Sequence, residues 1–273
     1  MLRVFCLQIA SPPKATLAES PEDQILPALE GFTGQSLVML PELWQVGYFA
    51  FEDYRVRAMA CDDPLLDRYS KKARELGLHL HIGSMVERAD NGLLYNTSLV
   101  FGPDGARLAE YRKIHLFGHQ SREAELLAPG REVVVASTAW GRVGLATCYD
   151  LRFPELFRAM IDRGAEFILV TAAWPAERIE TWRILLKARA IENQCFIIAT
   201  NGCGYCRGVE LGGHSMVVDP RGRILAELDG APGILSVELD PAAVAQTRFA
   251  FRALEDRVPF LNAGSVEQRF TDA

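Results

Sequence analysis

Short apolar runs of strand length alternate along this chain with amphipathic stretches of helical period. Residues 2–10 read as a first strand, and residues 36–40 as a buried one that stops at Pro41 and Glu42. Asp63 followed by Pro64 predicts a helix start, with Leu65, Leu66, Tyr69, Ala73 and Leu76 on one face and Gly77 closing it. Residues 78–82 alternate with period two. Residues 94–101 and 106–111, joined by Gly102-Pro103-Asp104-Gly105, predict a hairpin. Further strands are expected over 133–135, 143–146, 167–170, 195–200, 216–218 and 224–225. Helices are expected after Pro154, over 177–193 with Ile179, Trp182, Leu185, Leu186, Arg189 and Ile191 around it, and from Pro241. Hairpins mixed with strand–helix units imply mixed sheets, and the expected fold is an α/β sandwich.

Composition narrows this picture. A chain of 273 residues that is 49% hydrophobic can bury a large core. No linker, charge block or repeat divides it, so a single domain over 1–273 is expected. The formal charge of -6 speaks against a nucleic-acid surface and leaves a small molecule as the expected partner. The apolar runs are too short to span a bilayer, and the chain enters its first strand without the basic region and apolar stretch of a secretory signal. A cytoplasmic location is expected, with no membrane partner. Six cysteines are too sparse for a disulfide framework and are expected as thiols.

One of those cysteines stands at a chemically suggestive place. Cys148 falls between the apolar run 143–146 and a helix that opens at Pro154. Backbone N–H groups of Tyr149 and Asp150 at such a strand-to-helix turn can face an oxyanion, which suits a nucleophile. Taken alone, the segment fits a small buried hydrophobe equally well. A thiol nucleophile needs a proton acceptor and a nearby charge. The histidines His79, His81, His115, His119 and His214 sit in no cysteine–histidine protease signature, whereas Glu42 and Lys113 both lie at ends of apolar strands.

Together these segments resemble the nitrilase superfamily of carbon–nitrogen hydrolases. The resemblance is carried in order by Leu40-Pro41-Glu42, Tyr111-Arg112-Lys113-Ile114-His115-Leu116-Phe117 and Cys148-Tyr149-Asp150-Leu151-Arg152-Phe153-Pro154-Glu155. Glu123, followed by Ala124-Glu125-Leu126-Leu127-Ala128-Pro129-Gly130, and the segment from Gly213 to Pro220 agree with it, so that it covers roughly residues 1 to 262. It implies an αββα four-layer sandwich with mixed sheets that pairs into dimers through its helical layers. It also implies a Glu42, Lys113 and Cys148 triad that needs no metal and no cofactor, supported by Glu123. Lys113 is then expected to lower the Cys148 thiol pKa and to face the tetrahedral oxyanion with the Tyr149 N–H. Glu42 is expected to carry the thiol proton to departing ammonia and then to activate water.

Within the superfamily, Tyr149 directly after the cysteine resembles the amidase branches, where nitrilases and carbamoyl hydrolases usually place tryptophan. Residues 172–178, with Trp182 and 189–194, are similar to bacterial omega-amidases that act on 2-oxoglutaramate and 2-oxosuccinamate. Such substrates end in a carboxylate, for which Arg152 and Arg178 are the candidate guanidinium groups and Trp174 a candidate pocket wall. Residues 213–216 look equally like relatives that hydrolyse deaminated glutathione. Three other readings remain: Cys203 and Cys206 have the spacing of half a zinc site or a redox pair, His79 and His81 could serve a metal-dependent hydrolase, and a catalytically silent sandwich could act as a dimeric binding module.

Overall fold

The computed structural model describes residues 1–11, 22–34 and 36–258. Two six-stranded sheets carry the fold. The first has the order β14-β1-β2-β3-β4-β5, built from β1 (Leu2–Gln8), β2 (Ser36–Met39), β3 (His79–Arg88), β4 (Leu94–Phe101), β5 (Arg107–Arg112) and β14 (Gly233–Leu239). The second has the order β13-β12-β9-β8-β7-β6, built from β6 (Val135–Thr138), β7 (Gly141–Thr147), β8 (Phe167–Ala172), β9 (Phe196–Asn201), β12 (Met216–Val218) and β13 (Ile224–Glu227). In each sheet three strands run parallel, β1 to β3 and β7 to β9, and antiparallel strands flank them. Strands β10 (Cys203–Cys206) and β11 (Val209–Gly212) form a separate small hairpin.

Helices cover the two outer faces. Helices α1 (Glu22–Ala28) and α3 (Pro64–Leu76) pack on the first sheet through Leu26, Leu66, Tyr69 and Ala73; the short α2 (Tyr54–Arg57) lies between them in the chain. After α4 (Glu123–Leu126), helices α5 (Pro154–Asp162) and α6 (Ile179–Asn193) cover the second sheet through Phe157, Met160, Trp182 and Leu186. Between the sheets, Val4, Leu37 and Tyr111 meet Leu145, Leu169 and Ile198, with Val244 of α7 (Ala242–Ala250) at the edge of this layer. The result is the expected αββα sandwich.

Four local differences have physical causes. The strand expected over 133–135 begins at Val135 and runs to Thr138; it is an edge strand, and Val133 and Val134 precede it half-buried. The period-two run at 78–82 belongs to the longer β3, nine of whose ten residues are buried because helices cover one face and the second sheet the other. Around α6, Trp182, Leu186, Arg189, Ala190 and Asn193 form the core face and Ile191 lies on the outer one. The glycine-rich segment after Asn201 is the β10–β11 hairpin, and β14, which closes the first sheet beside β1, had no place among the expected strands. Within the described residues, no helix is long and apolar enough to cross a membrane.

Candidate active site

The two sheets are joined where their parallel strands end, the place where α/β sheets hold ligands. Beyond β2, the Glu42 N–H donates to the Ala172 carbonyl at 3.3 Å, and the Thr171 hydroxyl donates to the Leu40 carbonyl at 2.8 Å. Lys113 follows β5 directly and is fixed by its N–H on the Asn96 carbonyl at 2.8 Å. Glu123 opens α4. Cys148 follows β7 directly, with a φ of 48° in the left-handed region, so the chain turns sharply there into a 3-10 turn. That conformation is rare outside glycine and is typical of strained functional positions.

These elements bring Glu42, Lys113, Glu123 and Cys148 into one buried cluster. Lys113 Nζ lies 2.9 Å from Glu42 Oε1 and 2.8 and 3.0 Å from the two oxygens of Glu123, with all three side chains fully enclosed. The other Glu42 oxygen, Oε2, accepts the Ala173 N–H at 2.9 Å, and the Cys148 thiol hydrogen-bonds the Glu42 carboxylate. Glu123 also accepts the Tyr48 hydroxyl at 3.1 Å and the Phe117 N–H at 2.7 Å.

The electrostatics follow from burial and neighbours. Burial raises the Glu42 carboxyl above the ordinary range, Lys113 draws it down and Glu123 pushes it up again. Burial opposes the Lys113 ammonium, but Glu123 and Glu42 hold its pKa well above the usual lysine value. Burial and the Glu42 charge likewise push the Cys148 thiol up. Lys113 lowers it, as the sequence led us to expect, but by less, so the resting sulfur keeps its proton. The Tyr48 phenol is raised by burial and both carboxylates and stays a donor.

Asp150 holds the cysteine turn. Its buried carboxylate accepts the Thr147 N–H at 2.9 Å, the Tyr111 hydroxyl at 2.6 Å, and the His115 N–H and Nδ1 at 3.0 and 2.8 Å. In the resulting capping box the Asp150 N–H turns to the Thr147 side chain. The expectation that Asp150 offers an oxyanion donor is therefore corrected.

A narrow cavity of about 20 Å³ opens over Cys148, lined by Tyr48, Phe117, Tyr149, Arg152, Trp174 and Arg178 among others. Thus every residue singled out for binding faces the same space. The Arg152 guanidinium lies 5.1 Å from the Trp174 ring centroid and has no carboxylate partner among the described residues, whereas Arg178 pairs with Glu177 at 2.8 Å. Past Phe49, Phe117, Pro175 and Arg178 the cavity meets a wider chamber of about 350 Å³, lined by His119, Glu177 and Glu210. The sequence reading missed Asn96, Tyr48 and the Ala173 N–H. Asn96 did leave a trace, as an amide, a poor strand former, inside a strand.

The histidine and cysteine alternatives find no support in the geometry. His79 accepts the Trp140 indole N–H at 3.4 Å and His81 accepts the Gly83 N–H at 3.0 Å, both within the sandwich. Neither histidine, and neither Cys203 nor Cys206, joins a cluster of three ligating atoms among the described residues. Cys203 and Cys206 are free thiols, like the other four cysteines.

Comparison with known proteins agrees with the fold. The carbon-nitrogen hydrolase family model matches residues 14–249. A 2-oxoglutaramate amidase of Paenarthrobacter nicotinovorans is 38% identical over 248 residues, covering 88% of this chain and 84% of the relative. A deaminated glutathione amidase of Yersinia enterocolitica is 38% identical over 229 residues, 79% of each chain. The crystal structure of a CN-hydrolase superfamily protein from Xanthomonas campestris superimposes with a TM-score of 0.87 at 32% identity, covering 95% of this chain and 98% of that one. With its two mixed sheets meeting at a buried glutamate, lysine and cysteine, the chain belongs to the carbon-nitrogen hydrolase family of the nitrilase superfamily.

Proposed function

We propose that the protein is an amidase that hydrolyses a small ω-amide bearing a carboxylate, such as 2-oxoglutaramate or 2-oxosuccinamate. The observation that carries the substrate class is Arg152, a guanidinium without a carboxylate partner among the described residues that lines the same cavity as Cys148. A half-buried cation beside an indole face suits a planar carboxylate held bidentately. Arg178, already paired with Glu177, is the second candidate, and Trp174 supplies an apolar wall.

The Cys148 sulfur attacks the amide carbon as its proton passes to Glu42 Oε2. Negative charge gathers on the amide oxygen, where Lys113 Nζ and the Tyr149 N–H stabilise it. Collapse breaks the C–N bond, and Glu42 delivers its proton to the leaving nitrogen, releasing ammonia and leaving a thioester. Glu42 then takes a proton from water, the hydroxide attacks the thioester carbon, and the thiol leaves with its proton restored. Glu123 anchors Lys113 through both oxygens. The enclosed cysteines and the absence of cystine bridges at them suit a reducing cytoplasm. A homodimer is part of the same proposal, supported by apolar side chains on the outer face of α6.

The wider chamber favours a second reading, deaminated glutathione, whose peptide extension needs room beyond the narrow cavity. Ammonia release from 2-oxoglutaramate, 2-oxosuccinamate, deaminated glutathione and butyramide distinguishes the two. The expected order places the short carboxylate-bearing amides first, with no turnover by Cys148→Ala. Arg152→Gln is expected to raise KM for them by about 10- to 100-fold and to leave butyramide unaffected. Equal efficiency on butyramide removes the carboxylate from the proposal, and full turnover by Cys148→Ala removes the thioester.

A further inference from the structure

The buried cluster contains an amide side chain to which the hydrolytic cycle gives no task. Asn96 stands inside β4, fully enclosed, and its Nδ2 donates to Glu42 Oε1 at 2.8 Å and to Glu123 Oε1 at 3.1 Å. Lys113 Nζ donates to the same two oxygens at 2.9 and 2.8 Å. Two donors and two acceptors therefore alternate around a closed ring. Both Nδ2 hydrogens are used in it, while the Asn96 Oδ1 is buried with no hydrogen-bond partner among the described residues. Turning the amide over would set that oxygen against two carboxylates, so the ring dictates the orientation. An orphaned acceptor in a core strand calls for an explanation at the other end of the amide.

The explanation lies in what two adjacent carboxylates otherwise do. Two carboxylates in direct contact share a proton and titrate as a pair, one of them staying neutral far above its ordinary range. In this ring an N–H donor fills both gaps between the Oε1 atoms, and neither donor gives up its hydrogen near neutral pH. The remaining Glu42 oxygen, Oε2, accepts the Ala173 N–H, and the Cys148 thiol hydrogen-bonds the same carboxylate. We infer that Asn96 is a positioning residue: it keeps Glu42 and Glu123 from sharing a proton and so reserves Glu42 Oε2 for the proton of Cys148.

The inference rests on the reading of Cys148 as nucleophile and Glu42 as its base. The charged and titratable groups facing Glu42 are Lys113 at the end of β5, Glu123 on α4, Cys148 after β7 and the Tyr48 and Tyr54 phenols. Asn96 is uncharged, so replacing it changes a donor and no charge. Loss of that donor destabilises the ionised carboxylate, and the first proton lost from the Glu42–Cys148 pair is then lost at higher pH.

The test follows two rates across pH in wild type, Asn96→Ala and Asn96→Ser: alkylation of Cys148 by iodoacetamide, read by peptide mass, and kcat/KM for ammonia release. In Asn96→Ala the acid limb of both is expected to move up by about one pH unit, with rates on the plateau within about threefold of wild type. Asn96→Ser keeps one donor and is expected to move less; it carries the test if circular dichroism finds Asn96→Ala unfolded. An alkylation limb that stays in place overturns the inference, whether the rates are unchanged or fall equally at every pH. Absence of ammonia release by the wild type from every amide instead overturns the amidase reading, and the alkylation limb still decides the role of Asn96.

Discussion

At the scale of single residues, Glu42 answers to folding and to chemistry in opposite senses. Its folded pKa is raised by burial, more than Lys113 offsets. A carboxyl whose folded pKa exceeds its unfolded value of about 4.3 adds stability below that value and loses the contribution as pH climbs through the folded pKa. At neutral pH the ionised group therefore costs stability while serving as the base. Glu42→Gln leaves Lys113 paired with Glu123 alone and removes one of two enclosed negative charges. We expect turnover to fall by about 10²- to 10⁴-fold, with a Tm at pH 7 equal to or above wild type and an advantage that disappears below about pH 4. Calorimetry at the two pH values beside an ammonia assay checks this; a clear drop in Tm at pH 7 contradicts it. Glu42, Lys113, Glu123 and Cys148 were legible in the sequence because each lies in a short segment whose neighbours are also constrained. Tyr48 and the Asp150 carboxylate were not, since their partners are remote in sequence: Glu123 is 75 residues from Tyr48, and Tyr111 is 39 from Asp150.

At the scale of elements, strand periodicity gave most of the sheets, and the failures are of two kinds. Alternation was a poor guide for β3, where both faces are covered, and β14 pairs with a strand at the other end of the chain, which no local pattern reports. The feature of β3 with most bearing on the site was equally hidden. Between His81 and Ser84 its register with β4 shifts, and Gly83 sits there at a φ of 71°. The irregularity admits the Pro41 carbonyl, one residue before Glu42; a Cβ on Gly83 would lie 1.9 Å from that oxygen. Gly83→Ala is therefore expected to destabilise the protein by about 2–5 kcal/mol in urea titrations, from left-handed backbone strain and overpacking together. Activity at a temperature where the variant remains folded is expected to fall as well, because any relief displaces the Glu42 segment. Gly77→Ala provides the contrast, since its φ is also positive but the space around it is open.

At the scale of the whole molecule, the outer face of α6 leaves Ile184 64% and Ile191 53% exposed, and Phe249 at the end of α7 is 88% exposed. Exposed large apolar groups on a helical layer suit a protein contact. In the proposed homodimer a second copy covers α6. Ile184→Glu is expected to halve the mass in light scattering at micromolar concentration with the circular dichroism unchanged; a wild type that is monomeric over that range refutes the pairing.

The two sheets follow one plan, three parallel strands with antiparallel neighbours, and the reacting groups are divided between them. Glu42, Asn96, Lys113 and Glu123 belong to the first, and Cys148, Ala173 and Trp174 to the second. A fragment ending before β6 would hold a base with no thiol, and its complement a thiol with no base. Ammonia release is thus a signature of reunion: from a chain divided near residue 130, it would appear only as the two pieces found each other.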